Sequence, residues 1–269
     1  MKKRKSRKRT GARLGQHLLT NPRVAEAVAD AAAVRADDCV LEIGPGTGIL
    51  TEALLRKGAR VTAVEKDPAM AAILRARFKT EIENGILKLA EGDARTITPD
   101  SLFPNGAYKV AANIPYYITG ELMRTCLTAK NQPGALAFLV QKEVAERIAR
   151  SKKESILSLS AKVYGTPKYV RTVPKGNFNP APSVDSAILA ITGISRKNFA
   201  RVSEENFFKS VKAGFAQKRK TLGGNLKKAF GEHALDALAE SGISAKTRAE
   251  DVPLSQWLAL AEKLTNRDR

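Results

Sequence analysis

Between residues 39 and 141 the chain alternates short apolar runs with stretches of helical spacing. CVLEIG (39–44), RVTAVE (60–65), ILKLAEGD (86–93), YKVAANI (108–114) and ALAFLVQ (135–141) read as strands. ILTEALLRKG, PAMAAILRARF and ITGELMRTCL lie between them and read as helices. Apolar strands that alternate with helices make parallel βαβ units with both sheet faces covered, so the pattern predicts an α/β fold. Ahead of them, Asn21-Pro22 is a helix-start signal, followed by the apolar spacing Val24, Val28, Ala31. Beyond residue 141, KEVAERIAR reads as a helix. SLSAKVYG, KYVRTV and SAILAIT then read as strands broken by the loop PKGNFNPAPSVD, which suggests an antiparallel hairpin ending the sheet. From about residue 200 the pattern is amphipathic helix throughout, and residues 195–198 mark the expected boundary.

Charge adds a partner to this picture. The 269 residues carry 46 Lys+Arg against 27 Asp+Glu, a formal net charge of +19. Such an excess costs stability through self-repulsion and points to a polyanion, either nucleic acid or an anionic membrane surface. Residues 1–13, MKKRKSRKRTGAR, form a basic arm without an acid, a composition expected to be disordered when free. No apolar run reaches the roughly 20 residues that span a bilayer. The arm has no apolar h-region behind it, so no secretory signal is read and a cytoplasmic location is expected. Two isolated cysteines, Cys39 and Cys126, make neither a disulfide framework nor a zinc site. Two histidines, His17 and His233, are too few for a histidine-based metal cluster.

Candidate chemistry gathers at the carboxyl ends of the strands. GPGTG (44–48) follows the first strand and opens a helix. Glycines there permit positive φ and close approach of a ligand. The spacing lacks the third glycine of a dinucleotide fingerprint and the Gly-Lys-Ser/Thr ending of a P-loop. Glu65 ends the second strand, where a carboxylate can accept both hydroxyls of a ribose. Asp93 ends the third, where it can accept from an adenine amino group. These three strand ends point to an adenosine-bearing ligand. Asn113 ends the fourth strand on the same rim. Its amide oxygen and the Ile114 carbonyl, turned outward by Pro115, are two acceptors for one exocyclic NH₂ group. Tyr116 can stack on the ring that carries it, as in a pocket for an extruded base.

LGQHLL (14–19), VLEIGPGTGILTEAL (40–54), VTAVEKD (61–67), EGDA (91–94), NIPYYIT (113–119), LVQKEVAERI (139–148), FNPAPSVDSA (178–187) and GFAQKRKTLGGNL (214–226) together extend over nearly the whole chain. In these motifs the sequence resembles the ribosomal RNA adenine dimethyltransferases of the KsgA type, relatives of the Erm antibiotic-resistance methylases. The resemblance implies a Rossmann-like seven-stranded class I methyltransferase sheet over residues 14–194. A small C-terminal all-α domain, binding rRNA, is expected over residues 199–269. It implies S-adenosyl-L-methionine as donor, no metal, and N6,N6-dimethylation of two adjacent adenosines near the 3′ end of small-subunit rRNA. The expected partner is an immature small ribosomal subunit, met by a monomer.

Carried over by position, Gly44 and Gly46 line the methionine part of the donor, Glu65 its ribose, and Asp93 and Ala94 its adenine. His17 and Leu19 close over the donor, although His17 and Leu18 stand where the family commonly has Asn and Phe. Asn113 and Ile114 hold the target amino group and Asn113 also borders the donor. Pro115 aims these groups, Tyr116 stacks on the base and Phe178 covers its other face. Lys218, Arg219 and Lys220, with Lys209, Lys212, Lys227, Lys228 and the arm residues Lys2 to Arg9, are candidates for phosphate contact. The alternatives are an Erm-type methylase of large-subunit rRNA and a non-catalytic RNA-binding assembly or transcription factor with this fold. The extended VQKEVAERI and FAQKRKTLGGNL segments favour the small-subunit enzyme.

Overall fold

A computed structural model describes residues 17–266; the basic arm and its phosphate-contact candidates Lys2 to Arg9 lie outside the described residues. In chain order the elements are β1 (Leu18–Leu19), α1 (Pro22–Ala31), β2 (Cys39–Ile43), α2 (Ile49–Arg56), β3 (Arg60–Glu65), α3 (Pro68–Arg77), α4 (Lys79–Glu83) and β4 (Leu87–Glu91). They continue as α5 (Pro99–Leu102), β5 (Lys109–Asn113), α6 (Thr119–Thr128), β6 (Ala135–Gln141), α7 (Lys142–Ala149) and α8 (Ile156–Tyr164). The remainder are β7 (Thr166–Val173), β8 (Phe178–Asn179), β9 (Ser186–Thr192), α9 (Glu204–Gly214), α10 (Leu222–Phe230), α11 (His233–Glu240) and α12 (Leu254–Asn266).

Seven strands form one sheet in the order β4-β3-β2-β5-β6-β9-β7. The pairs β3–β4, β2–β3, β2–β5 and β5–β6 are parallel. From β2 the chain first builds outward through β3 and β4, then returns to the other side of β2 with β5. That reversal makes β2/β5 the switch point, where ligands of open α/β sheets bind. The strands are held there by burial. Val40, Val61, Ala63, Ala111 and Leu139 join Val24, Val28 and Leu54 of the covering helices in one apolar cluster. The helix start read at Asn21-Pro22 is present, Asn21 accepting from Arg23 N–H at 3.0 Å; Asp67 likewise accepts from Ala69 N–H at 2.8 Å, and each helix has a proline at its first position.

By internal contacts the chain divides into two compact units, Met1–Lys142 with Val170–Ala190, and Glu143–Tyr169 with Ile191–Arg269. Residues 143–169 thus group with the C-terminal helices, a division unlike a single cut at 195–198. Within the second unit Trp257 is fully buried and stacks on Phe215 at 5.8 Å. Asn225, 5% exposed, donates to the carbonyls of Gly214 at 2.6 Å and Gln217 at 3.2 Å. Those bonds fix the turn between α9 and α10 on which Lys218, Arg219 and Lys220 are exposed.

One predicted strand is a helix. SLSAKVYG lies in α8, because Ser155 supplies a capping box: its hydroxyl accepts from Ser158 N–H at 3.1 Å while Ser158 Oγ accepts from Ser155 N–H at 2.7 Å. Leu159, Val163 and Tyr164 then fall on the buried side. Replacing Ser155 with alanine is expected to lower unfolding free energy by about 1 kcal/mol in urea denaturation, the usual cost of losing such a cap. An unchanged midpoint and slope would show that the cap does not hold α8.

Candidate active site

The loop after β2 and the end of β5 face each other across the switch point. Gly46 has φ +58°, and a Cβ there would stand 2.8 Å from Leu18 Cδ2. Gly48 has φ +87° and would put a Cβ 2.4 Å from the Phe78 ring. The left-handed backbone favours glycine at both positions, and at Gly48 the Phe78 ring leaves no room for a side chain. His17, Leu18 and Leu19 line one cavity together with Gly44, Gly46, Glu65, Asn113, Ile114, Pro115 and Tyr116. Gly44, Glu65 and Pro115 also line an adjoining cavity that contains Asp93, Ala94, Arg95 and Tyr117. The two cavities share that wall and run along the carboxyl ends of β2, β3, β4 and β5.

Glu65 anchors the shared wall. Its Oε2 accepts from Gly46 N–H at 3.1 Å and its Oε1 from Asp67 N–H at 2.8 Å. Each oxygen keeps a second lone pair, so a diol can still be held. Behind it stands a second buried acid that the sequence reading passed over, Glu42 of β2. Glu42 Oε2 accepts from Thr51 Oγ1 at 2.6 Å, while Oε1 has no partner among the described residues. Burial, reinforced by the charge of Glu65, pushes the Glu42 carboxyl up to about 8 despite the Thr51 bond.

Asp93 is handled in the opposite way. The Arg95 side chain and backbone N–H, and Lys66 at 2.9 Å, hold its carboxyl well below the usual carboxylate range. Asp93 is thus a fixed anion at the mouth of the adjoining cavity. Tyr117 is 71% exposed and lines that same cavity, not the one containing Tyr116.

The residues at the end of β5 are ordered by contacts with His17. Asn113 Nδ2 donates to the His17 carbonyl at 3.0 Å, which leaves Oδ1 as the accepting end of the amide. Ile114 is 2% exposed and lines the same cavity. Tyr116 shares a 2.7 Å hydrogen bond with Ser186 and its ring lies 5.6 Å from that of His17. His17 in turn donates from Nδ1 to the Pro180 carbonyl at 2.9 Å. Phe178 was expected to cover the other face of the base. It is 5% exposed, pairs with Leu19 in the small β1–β8 sheet and packs in the apolar cluster, and it does not line the cavity. Pairing of β8 with β1 puts Phe178 in the core and Pro180 against His17. Lys218, Arg219 and Lys220 are exposed residues of the second unit.

The family model for ribosomal RNA adenine dimethylase matches residues 7–266. This chain belongs to the ribosomal RNA adenine dimethylase family. A ribosomal RNA small subunit methyltransferase A of Dehalococcoides mccartyi is 38% identical over 252 residues, covering 92% of this chain and 86% of the relative. The corresponding protein of Leuconostoc citreum is 36% identical, covering 94% and 89%. Among solved structures, a dimethyladenosine transferase from Plasmodium falciparum superposes with TM-score 0.76 at 27% identity, covering 91% of this chain and 96% of that one. The 23S rRNA methyltransferase ErmE does so with TM-score 0.72 at 26% identity, covering 92% and 99%. The expected seven-stranded methyltransferase fold is the one this dimethylase has.

The residues present fit an adenosine-bearing cation. A glycine cradle opens on the cavity, Glu65 retains accepting lone pairs, and the buried Glu42 Oε1 has no partner among the described residues. No group of three or more metal-ligating side chains occurs among the described residues. None of the described helices is long and apolar enough to cross a membrane.

Glu42 also makes stability depend on pH. Its folded value of about 8 lies above the ordinary value of 4.5, so its contribution is full below about 4.5 and is lost as pH rises through about 8. Glutamine at this position can still accept from Thr51 and has no such proton to lose. Glu42→Gln is therefore expected to flatten the decline in stability between pH 5 and pH 8 in urea titrations. Parallel pH profiles for the two proteins would contradict a protonated Glu42.

Proposed function

We propose that this dimethylase transfers methyl groups from S-adenosyl-L-methionine to N6 of two adjacent adenosines near the 3′ end of small-subunit rRNA, in an immature small ribosomal subunit. The observation that carries the reading is the oriented Asn113 amide at the switch point. With Nδ2 committed to His17, the amide presents an acceptor, and an acceptor is what an amino group requires. Curated relatives covering most of the chain are small-subunit enzymes, which favours that substrate over the large-subunit rRNA of ErmE.

The donor supplies a methyl group on a sulfonium, an electrophile that needs no metal. The chain supplies position and polarity. Gly44 and Gly46 border the amino-acid end, Glu65 accepts from the ribose hydroxyls, and Asp93 with Ala94 takes the adenine, where Tyr117 forms an outer wall. His17 and Leu19 close the cavity from the N-terminal side. Asn113 Oδ1 and the Ile114 carbonyl accept the two hydrogens of the target amino group. That draws electron density onto a nitrogen whose lone pair is otherwise delocalised into the ring. Pro115 sets the carbonyl, and Tyr116, fixed by Ser186, offers its face to the base. Catalysis is then mainly alignment for in-line transfer with electrostatic help. Lys218, Arg219 and Lys220 contribute phosphate contacts that orient the RNA without reading its sequence. The protein is taken to act as a monomer in the cytoplasm.

Replacing Asn113 with alanine is expected to reduce methylation of unmethylated small subunits by at least about a hundredfold, the scale of losing a polar group that acts in the transition state. Donor binding, measured by calorimetry on the same variant, should change by only a few-fold. Turnover like that of the unaltered protein would remove Asn113 from the reaction.

A further inference from the structure

Glu42 is a titratable group that positioning of the base and ribose leaves unused. It is fully buried, two residues before Gly44, and Thr51 occupies only one of its oxygens. The flanking strands place Ala63 and Ala111 beside it, and neither side chain can donate a hydrogen bond. Thr51 stands in the first turn of α2, whose Ile49 and Leu50 line the glycine-loop cavity. Among the described residues the one charged group that bears on it is Glu65, of like sign, which lines the same cavity. A second negative charge in this dry position is unfavourable while nothing positive is near. A cation seated over the loop reverses that balance, because charges a few ångströms apart interact strongly away from water.

We propose that Glu42 holds a proton in the ligand-free protein and releases it to solvent when the cationic donor enters the glycine-loop cavity, becoming the donor's buried counter-charge. The inference rests on the reading that the donor is S-adenosyl-L-methionine. The step balances simply: the Glu42 O–H bond breaks, its electron pair stays on the carboxylate, and the proton passes to buffer. The carboxylate so formed is a positioning group for the donor and does not touch the reacting amino group. Glu65 and the Thr51 hydroxyl are the groups that set the balance from β3 and α2. Donor affinity is thereby linked to pH: it rises toward pH 8 and then levels, as the proton to be released is already lost.

Calorimetric titration of the full chain with S-adenosyl-L-methionine at pH 7, in buffers of different ionisation enthalpy, counts the protons released. The expected result is close to one proton per donor bound for the unaltered protein. Glu42→Gln should release none and bind roughly tenfold more weakly. Infrared difference spectra of the unaltered protein should show loss of a protonated-carboxyl band on donor addition, a readout that does not depend on how the variant folds. Binding without proton release, release that persists in Glu42→Gln, or an unchanged carboxyl band would overturn the inference. Absence of any donor binding would overturn the donor assignment itself, and the inference with it.

Discussion

The bonds from Gly46 and Asp67 N–H to the Glu65 carboxylate hold the rest of the site in place. They tie the loop after β2 to the end of β3 and keep a charge buried at the wall shared by both cavities. A buried carboxylate survives only when hydrogen-bonded, and backbone donors satisfy it here without neutralising it. Burial, with the Glu65 charge adding to it, keeps Glu42 protonated behind the loop. One acid is thus fixed as an acceptor and the other is left as a store of one proton.

A second tie comes from the N-terminal segment. Thr20 N–H donates to the Asn177 carbonyl at 2.9 Å, β1 pairs with β8, and His17 reaches Pro180, so two loops distant in sequence form one strap. Through the His17 carbonyl that strap sets the Asn113 amide. The orientation of the amide at the β5 end therefore depends on residues outside the main sheet, and so does the acceptor proposed for the target nitrogen.

Much of this was legible in the sequence, for physical reasons. The five parallel strands are continuous apolar runs bounded by helical spacing, and their ends carry Gly44, Glu65, Asp93 and Asn113, which line two adjoining cavities with a shared wall. What escaped the pattern was decided by tertiary contacts. SLSAKVYG alternates like a strand, yet a serine capping box and burial of Leu159 and Tyr164 make it a helix. β1 and β8 are two residues each, too short for any periodicity. The packing of Phe178 in the apolar cluster is set by its pairing with Leu19. Glu42 was visible as an acid inside a buried strand, but its missing partner shows only in three dimensions.

The central claim is that this groove dimethylates two neighbouring adenosines of small-subunit rRNA. Its most direct test is incubation of the protein with labelled S-adenosyl-L-methionine and unmethylated small subunits, followed by mapping of dimethyladenosine along the rRNA. The account predicts label as N6,N6-dimethyladenosine at two adjacent positions near the 3′ end. Dimethyladenosine only at other positions of that rRNA, or no label in it, would contradict it.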